Sequence, residues 1–180
     1  MAALPKLMTV AEYWELPEGG EVTYELQHGE VIDVTRPKAW HAVLQVELQD
    51  SLRTKLMKFG RVVVAWAYRP VPEFELRAAD VALVSWERWR TMDRNDALRG
   101  APDLVIEVKS PSNTRRQLQE LMTLCLNNGA TEFWVVDGVN AGVTVTRRDG
   151  SVTLYRRGDA IPLQAFGSDE LLVADIFPGK

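Results

Sequence analysis

Residues 103–109 read Asp-Leu-Val-Ile-Glu-Val-Lys, and no other run constrains the fold as much. Side chains alternate across a strand, so Leu104, Ile106 and Val108 share one face, while Val105 shares the other with Glu107 and Lys109. A strand apolar on both faces apart from its charged residues belongs at the covered centre of a sheet. The Ser-Pro-Ser-Asn that follows breaks the strand and caps a helix predicted from Thr114 to Asn128, ended by Gly129. Residues 132–137, Glu-Phe-Trp-Val-Val-Asp, form a second buried strand. A strand–helix–strand crossover therefore runs from Asp103 to Asp137.

The flanking segments read as follows. Thr9 to Leu16 is a short helix, with Thr9 as N-cap and Glu12 completing a capping box. Residues 23–34 form a hairpin turning at His28-Gly29, where Gly29 takes positive φ. From His41 to Phe59 the spacing is helical. Val43, Val46, Leu48, Leu52 and Leu56 fall mostly on one face, Gln45, Gln49, Asp50, Arg53 and Lys55 elsewhere, and Gly60 is the expected C′ residue. Residues 61–70 are a strand ended by Pro70 and Pro72, and Asp80 opens another that ends at Val84. Residues 88–100 are a loop or short helix. The alternating runs around Asp149-Gly150 make a second hairpin. Leu163, Phe166, Leu171, Leu172, Ile176 and Phe177 are expected to pack back as a lid. The expected class is α/β: a mixed β-sheet flanked by helices.

A chain of 180 residues fits one domain, residues 1–180. Its one cysteine, Cys125, allows no internal disulfide, and with only His28 and His41 it cannot build a structural zinc site. The first 20 residues lack the basic-then-apolar pattern of a signal peptide, and no apolar run approaches the ~18 residues of a membrane span, so a cytoplasmic setting is expected. The net charge of −4 argues against binding nucleic acid by bulk attraction, but not against meeting it at a local patch.

The charged residues of the central strand carry the chemistry. A carboxylate and an ammonium inside a buried strand are costly unless paired or metal-bound. Asp80, on a strand able to lie alongside, brings a second carboxylate to Glu107. Two carboxylates and a lysine suit metal-assisted phosphodiester hydrolysis. Mg²⁺ (or Mn²⁺) would be held by Asp80 and Glu107, with Lys109 orienting the attacking water or stabilising the transition state. The same spacing also suits a plain ion pair in which Glu107 and Lys109 neutralise one another. The chain would then be a catalytically inactive interaction module.

The segment Ala-Pro-Asp-Leu-Val-Ile-Glu-Val-Lys-Ser-Pro-Ser-Asn at 101–113, the helix after it and Asn-Asn-Gly-Ala-Thr-Glu-Phe-Trp-Val-Val-Asp at 127–137 resemble the Uma-type restriction-endonuclease-like family of the PD-(D/E)XK nuclease superfamily. So do Tyr-Glu-Leu-Gln-His-Gly-Glu-Val-Ile at 24–32, the helix beginning at His41 and Ala-Asp-Val-Ala-Leu-Val at 79–84. The resemblance runs from about Thr9 to Phe177. It implies an αβββαβ core and a metal-dependent endonuclease acting on DNA. It also implies Asp80 and Glu107 as metal ligands, Lys109 as the lysine of E-x-K, and Glu25 as a further acidic group at the site. Two departures stand out: Ala79 occupies a position where proline is common, and Leu121 and Cys125 stand where the helix often carries a lysine and a tyrosine. The work of a helix lysine would then fall to Lys109.

Other residues have plainer readings. His41 is expected to serve the start of its helix by packing or hydrogen bonding, His28 to sit in a turn, and Cys125 to lie in the core. Trp86 and Trp89, with Arg88 and Arg90, read as a loop anchor or as a base-stacking surface. Gln119 falls on the helix that follows the central strand. The paired arginines at 115–116, 147–148 and 156–157 read as solvated surface or as phosphate contacts. A homodimer is expected through the C-terminal apolar residues and the second hairpin. A literal motif would choose Asp103 as the metal ligand. It lies four residues from Glu107, a rise of about 13 Å, so Asp80 is the better partner.

Overall fold

Residues Leu104–Val108 form a strand in which all five side chains are buried. The computed structural model describes residues 7–16, 23–34, 37–111 and 113–177; Ser112 of the helix-capping segment and residues 1–6 lie outside them. In chain order the elements are α1 (Val10–Trp14), β1 (Thr23–Gln27), β2 (Glu30–Val34), α2 (Ala39–Leu56), β3 (Gly60–Arg69), β4 (Arg77–Ser85), α3 (Trp86–Thr91), β5 (Leu98–Arg99), β6 (Leu104–Val108), α4 (Arg115–Asn127), β7 (Glu132–Asp137), β8 (Gly142–Arg147), β9 (Val152–Arg156), β10 (Ala160–Pro162), β11 (Glu170–Leu172) and α5 (Val173–Ile176). Seven strands make one mixed sheet in the order β5-β3-β4-β6-β7-β8-β9. The strands β6 and β7 pair parallel across the α4 crossover, while β4 pairs antiparallel with β6. Taken in order, α2, β3, β4, β6, α4 and β7 give the αβββαβ core.

Both faces of β6 are covered. Leu104, Ile106 and Val108 pack with the Leu44-Leu48-Leu52-Leu56 row of α2 and with Ile161, Leu163, Phe166 and Ile176 of the C-terminal segment. Val105 packs on the other side with Phe133 and with Cys125 of α4. Each large apolar side chain buried this way contributes about 1.5–3 kcal/mol. The C-terminal residues are therefore core, not a lid, apart from the half-exposed Leu172, and their burial removes them from any dimer surface.

Several local signals give the expected structures. Thr9 and Glu12 make the expected capping box; for α4 the N-cap is Thr114 itself, boxed with Gln117, in place of the Ser-Pro-Ser-Asn cap expected before it. The β1–β2 turn places both His28 (φ 52) and Gly29 (φ 76) in the left-handed region that a two-residue hairpin turn requires. Other expectations are corrected. Val43 and Val46 are 58% and 50% exposed, because the buried row of α2 repeats every four residues from Leu44 and these valines point away from it. The helix ends at Leu56, and Gly60 opens β3. A Cβ there would sit 2.2 Å from the Val84 carbonyl oxygen, so glycine is needed for close strand approach, not for a helix cap. The strand β4 begins at Arg77, three residues before Asp80.

Candidate active site

The β3–β4 ladder pairs Val64 with Val81 and Trp66 with Ala79, leaving Ala65 and Asp80 opposite one another but unpaired. Ala65 has φ 48, a conformation that costs a non-glycine residue about 1–3 kcal/mol. Ala79 packs on the α4 side of the sheet and Val81 on the α2 side, so β4 changes face at Asp80. The ladder between β4 and β6 stops at Val81↔Ile106, one step short of Glu107. There the Asp80 carboxylate replaces the backbone: its Oδ2 accepts the Val108 N–H at 2.7 Å. This break in the pairing brings Asp80 beside Glu107.

Two residues of α2, four apart and so on one side of the helix, fix the Asp80 carboxylate. Gln45 Nε2 donates to Oδ1 at 2.7 Å, and His41 Nε2 lies 3.3 Å from Oδ2 and 3.1 Å from the Val108 carbonyl oxygen. The hydrogen bond to Asp80 raises the His41 pKa against the opposing effect of burial. His41 thus has a hydrogen-bonding role at the start of its helix, with Asp80 as its partner. In sequence Gln45 is one of the polar residues off the apolar face of this helix. Its spacing of four from His41 was the available signal.

Glu107 is 9% exposed and its Oε1 has no hydrogen-bond partner. Burial pushes its pKa well above the carboxylate range. The negative charges of Asp80 and Glu25 add to the shift, and the guanidinium of Arg77 opposes it. Glu25 lines the same cavity of about 1280 Å³ as Asp80 and Glu107. Its Oε1 accepts the Ala78 N–H at 3.1 Å and its Oε2 lies 3.7 Å from Arg77 Nη1. Arg77, only 10% exposed, is held by Glu75 through a 2.7 Å bond from Nε. Sequence reasoning missed Arg77, since nothing in Arg-Ala-Ala-Asp marks its side chain as turned inward.

Lys109 is placed differently. The strand ends at Val108, so alternation no longer governs the next residue. The Lys109 side chain is 51% exposed and its Nζ pairs with Asp137 Oδ2 at 3.1 Å. Although burial works the other way, the Asn140 hydrogen bonds and Lys109 hold the Asp137 carboxyl down at about 2. Asp103 accepts the Ser85 N–H at 2.8 Å and lies 3.5 Å from Arg88. It fastens the start of α3 and stands apart from the carboxylates. Cys125 is core, its thiol pushed to about 12 by burial. Gln119 is exposed on the cavity wall.

Mg²⁺ takes oxygen ligands, keeps several waters and is commonly held by one or two carboxylates. Asp80 and the unpartnered Oε1 of Glu107 fit that donor set. Among the described residues no three His, Cys, Asp or Glu side chains converge as a full cage.

A family model described as "Uma2: Putative restriction endonuclease" matches residues 10–180. A crystal structure described as that of "a putative nuclease belonging to DUF820 from Anabaena variabilis ATCC 29413" aligns with a TM-score of 0.78 at 22% identity, over 94% of this chain and 97% of that one. At that identity the likeness carries the fold. No curated protein matches.

Proposed function

The chain belongs to the Uma2 family, and from that premise we propose that it is a metal-dependent endonuclease that hydrolyses phosphodiester bonds of DNA. The observation that carries this reading is the buried, unpartnered Oε1 of Glu107 beside Asp80. A carboxylate left in this state inside a strand is costly, and a divalent cation relieves the cost. The alternative, an inactive fold with a structural Glu107–Lys109 pair, is less well supported, because Lys109 pairs with Asp137.

In this reading Asp80 and Glu107 hold Mg²⁺ or Mn²⁺. Bound there, the cation supplies Lewis-acid stabilisation of charge on the phosphate and lowers the pKa of the attacking water. Gln45, His41 and the Val108 N–H orient Asp80 before anything binds, so the geometry is fixed in advance. Glu25 adds negative charge that favours a cation, and Arg77 is the inward cation available to a phosphate oxygen. Lys109 acts on the transition state after leaving Asp137.

The test is calorimetric titration of Mn²⁺ into the wild type, Asp80→Ala and Asp103→Ala, with plasmid cleavage measured in parallel. Asp80→Ala should abolish specific binding and cleavage. Asp103→Ala should keep both and lose about 1–2 kcal/mol of stability, since the Ser85 N–H loses its acceptor. The reverse pattern would mean that Asp103 is the ligand.

A further inference from the structure

We propose that Arg61 and Arg94, held against Trp89, form a docking surface for the phosphate backbone of a nucleic acid strand as it leaves the groove. The proposal deepens the nuclease reading and rests on it for the identity of the polyanion. Trp86 and Arg88 are structural: Trp86 Nε1 donates to the Met57 carbonyl oxygen, and Arg88 donates to the Ala101 and Arg99 carbonyls. Trp89 is used otherwise. The guanidinium carbons of Arg61 and Arg94 each lie 4.9 Å from the Trp89 ring centroid, and Trp66 braces that ring at 5.3 Å.

Two like charges on one ring repel each other. An exposed cation–π contact contributes only about 0.5–1 kcal/mol and does not cancel the charge. Arg69, Arg77, Arg88, Arg99 and Arg147 all have acidic partners. Among the described residues Arg61 and Arg94 have no ion-pair partner; neither have Arg90, Arg115, Arg148, Arg156 and Arg157, and what sets Arg61 and Arg94 apart is the Trp89 ring they share. Asp93, the nearest acid in sequence, has its carboxylate turned to the Asn95 N–H at 2.9 Å. Arg94 Nη2 also donates to the Trp89 carbonyl oxygen at 3.2 Å, so its fork is already ordered. Ordered, unneutralised guanidiniums suit phosphate oxygens, because little side-chain entropy is left to lose on binding.

The position fits as well. Trp66 and Trp89 pack against the cluster that holds Val105, the face of β6 that Glu107 shares. The cavity containing Asp80 and Glu107 follows α4 from Gln117 to Asn128. Arg61 lies four residues along β3 from Ala65, roughly 13 Å, or about four nucleotide rises of ~3.4 Å along a duplex axis. A strand with its scissile phosphate at Glu107 could therefore reach this pair. A chain with a net charge of −4 needs such a local patch.

The test is fluorescence anisotropy with a labelled DNA duplex, without divalent metal, over a series of salt concentrations. Arg61→Ala/Arg94→Ala should bind at least ~10-fold more weakly, with a log K against log salt slope smaller by about two. Arg156→Ala/Arg157→Ala removes the same charge near the β9 edge and should bind like wild type. Equal affinity and slope in the Arg61/Arg94 variant, equal losses in both double variants, or no binding by wild type at low salt would each overturn the proposal. A small phosphodiester too short to reach Trp89 separates this surface from the catalytic reading. Its metal-dependent hydrolysis should be unchanged in Arg61→Ala/Arg94→Ala. If wild type fails to hydrolyse it, the nuclease reading falls, while the DNA-binding comparison still decides the docking surface.

Discussion

Glu107→Gln is expected to raise the melting temperature of the metal-free protein at pH 8 while abolishing its binding of divalent cations. Glu107 lies in a strand that is buried throughout, its Oε1 lacks a partner, and Asp80 and Glu25 add repulsion. Glutamine has the same shape, carries no charge and can still accept from the Asp80 backbone with its amide oxygen. The position stays polar, so the gain is that of removing the buried charge, and it should appear as a rise of several degrees for a chain of this size. The sign follows from the raised pKa. In the folded state Glu107 holds its proton to a higher pH than in the unfolded chain, so its contribution is fully favourable below the unfolded value of about 4.5 and is lost as pH rises through the folded value. The two proteins should therefore melt alike near pH 4 and diverge as pH rises. Saturating Mn²⁺ should stabilise wild type by mass action and leave Glu107→Gln unmoved. Calorimetric melting across pH decides the matter. A variant less stable than wild type at pH 8 would show that Glu107 makes bonds that stabilise the metal-free fold, and the argument from an orphaned carboxylate would fail.

The same strand shows what the sequence made legible. Leu104, Ile106 and Val108 fill one face of β6, and uninterrupted hydrophobicity can be satisfied only at a covered centre. The strand's place in the sheet was thus readable, and so was the capping box at Thr9, which depends on residues three apart; the cap of α4, read into residues 110–113, belongs instead to Thr114. The misread parts depend on long-range packing. Valine is apolar wherever it sits, so Val43 and Val46 looked like core until the Leu44–Leu56 row showed which side of α2 faces the sheet. Gly60 looked like a cap because a helix precedes it, yet it answers to Val84, 24 residues away. The pairing of Asp80 with Glu107 followed from strand spacing, but its support from His41 and Gln45 required knowing how α2 crosses β4. Lys109 is the clearest case. Alternation put it beside Glu107, and the end of the strand at Val108 released it toward Asp137.

Lys109→Met is expected to reduce cleavage by about 10²–10³, the usual loss when one charge-stabilising group leaves a transition state, with Mn²⁺ titration and melting temperature nearly unchanged. The stability forecast follows from exposure. Lys109 is half-exposed, and a solvent-accessible ion pair such as that with Asp137 contributes about 0–1 kcal/mol. The activity forecast rests on what the cavity otherwise offers. By the family resemblance Leu121 and Cys125 would stand where relatives carry a helix lysine and tyrosine, and the inward-turned Arg77 is tied to Glu75. Lys38, the N-cap of α2, also lines the cavity, but Lys109 is two residues from Glu107 and is taken as the second cation, which has to leave Asp137 to act. Asp137→Asn weakens that hold while keeping one oxygen for the Val139 and Asn140 N–H groups, so it should cleave at or above the wild-type rate. Single-turnover cleavage of a labelled duplex compares the three proteins directly. If Lys109→Met cleaves as fast as wild type, Lys109 is only a surface counter-ion of Asp137, and the charge on the scissile phosphate is met by Arg77 and the metal alone.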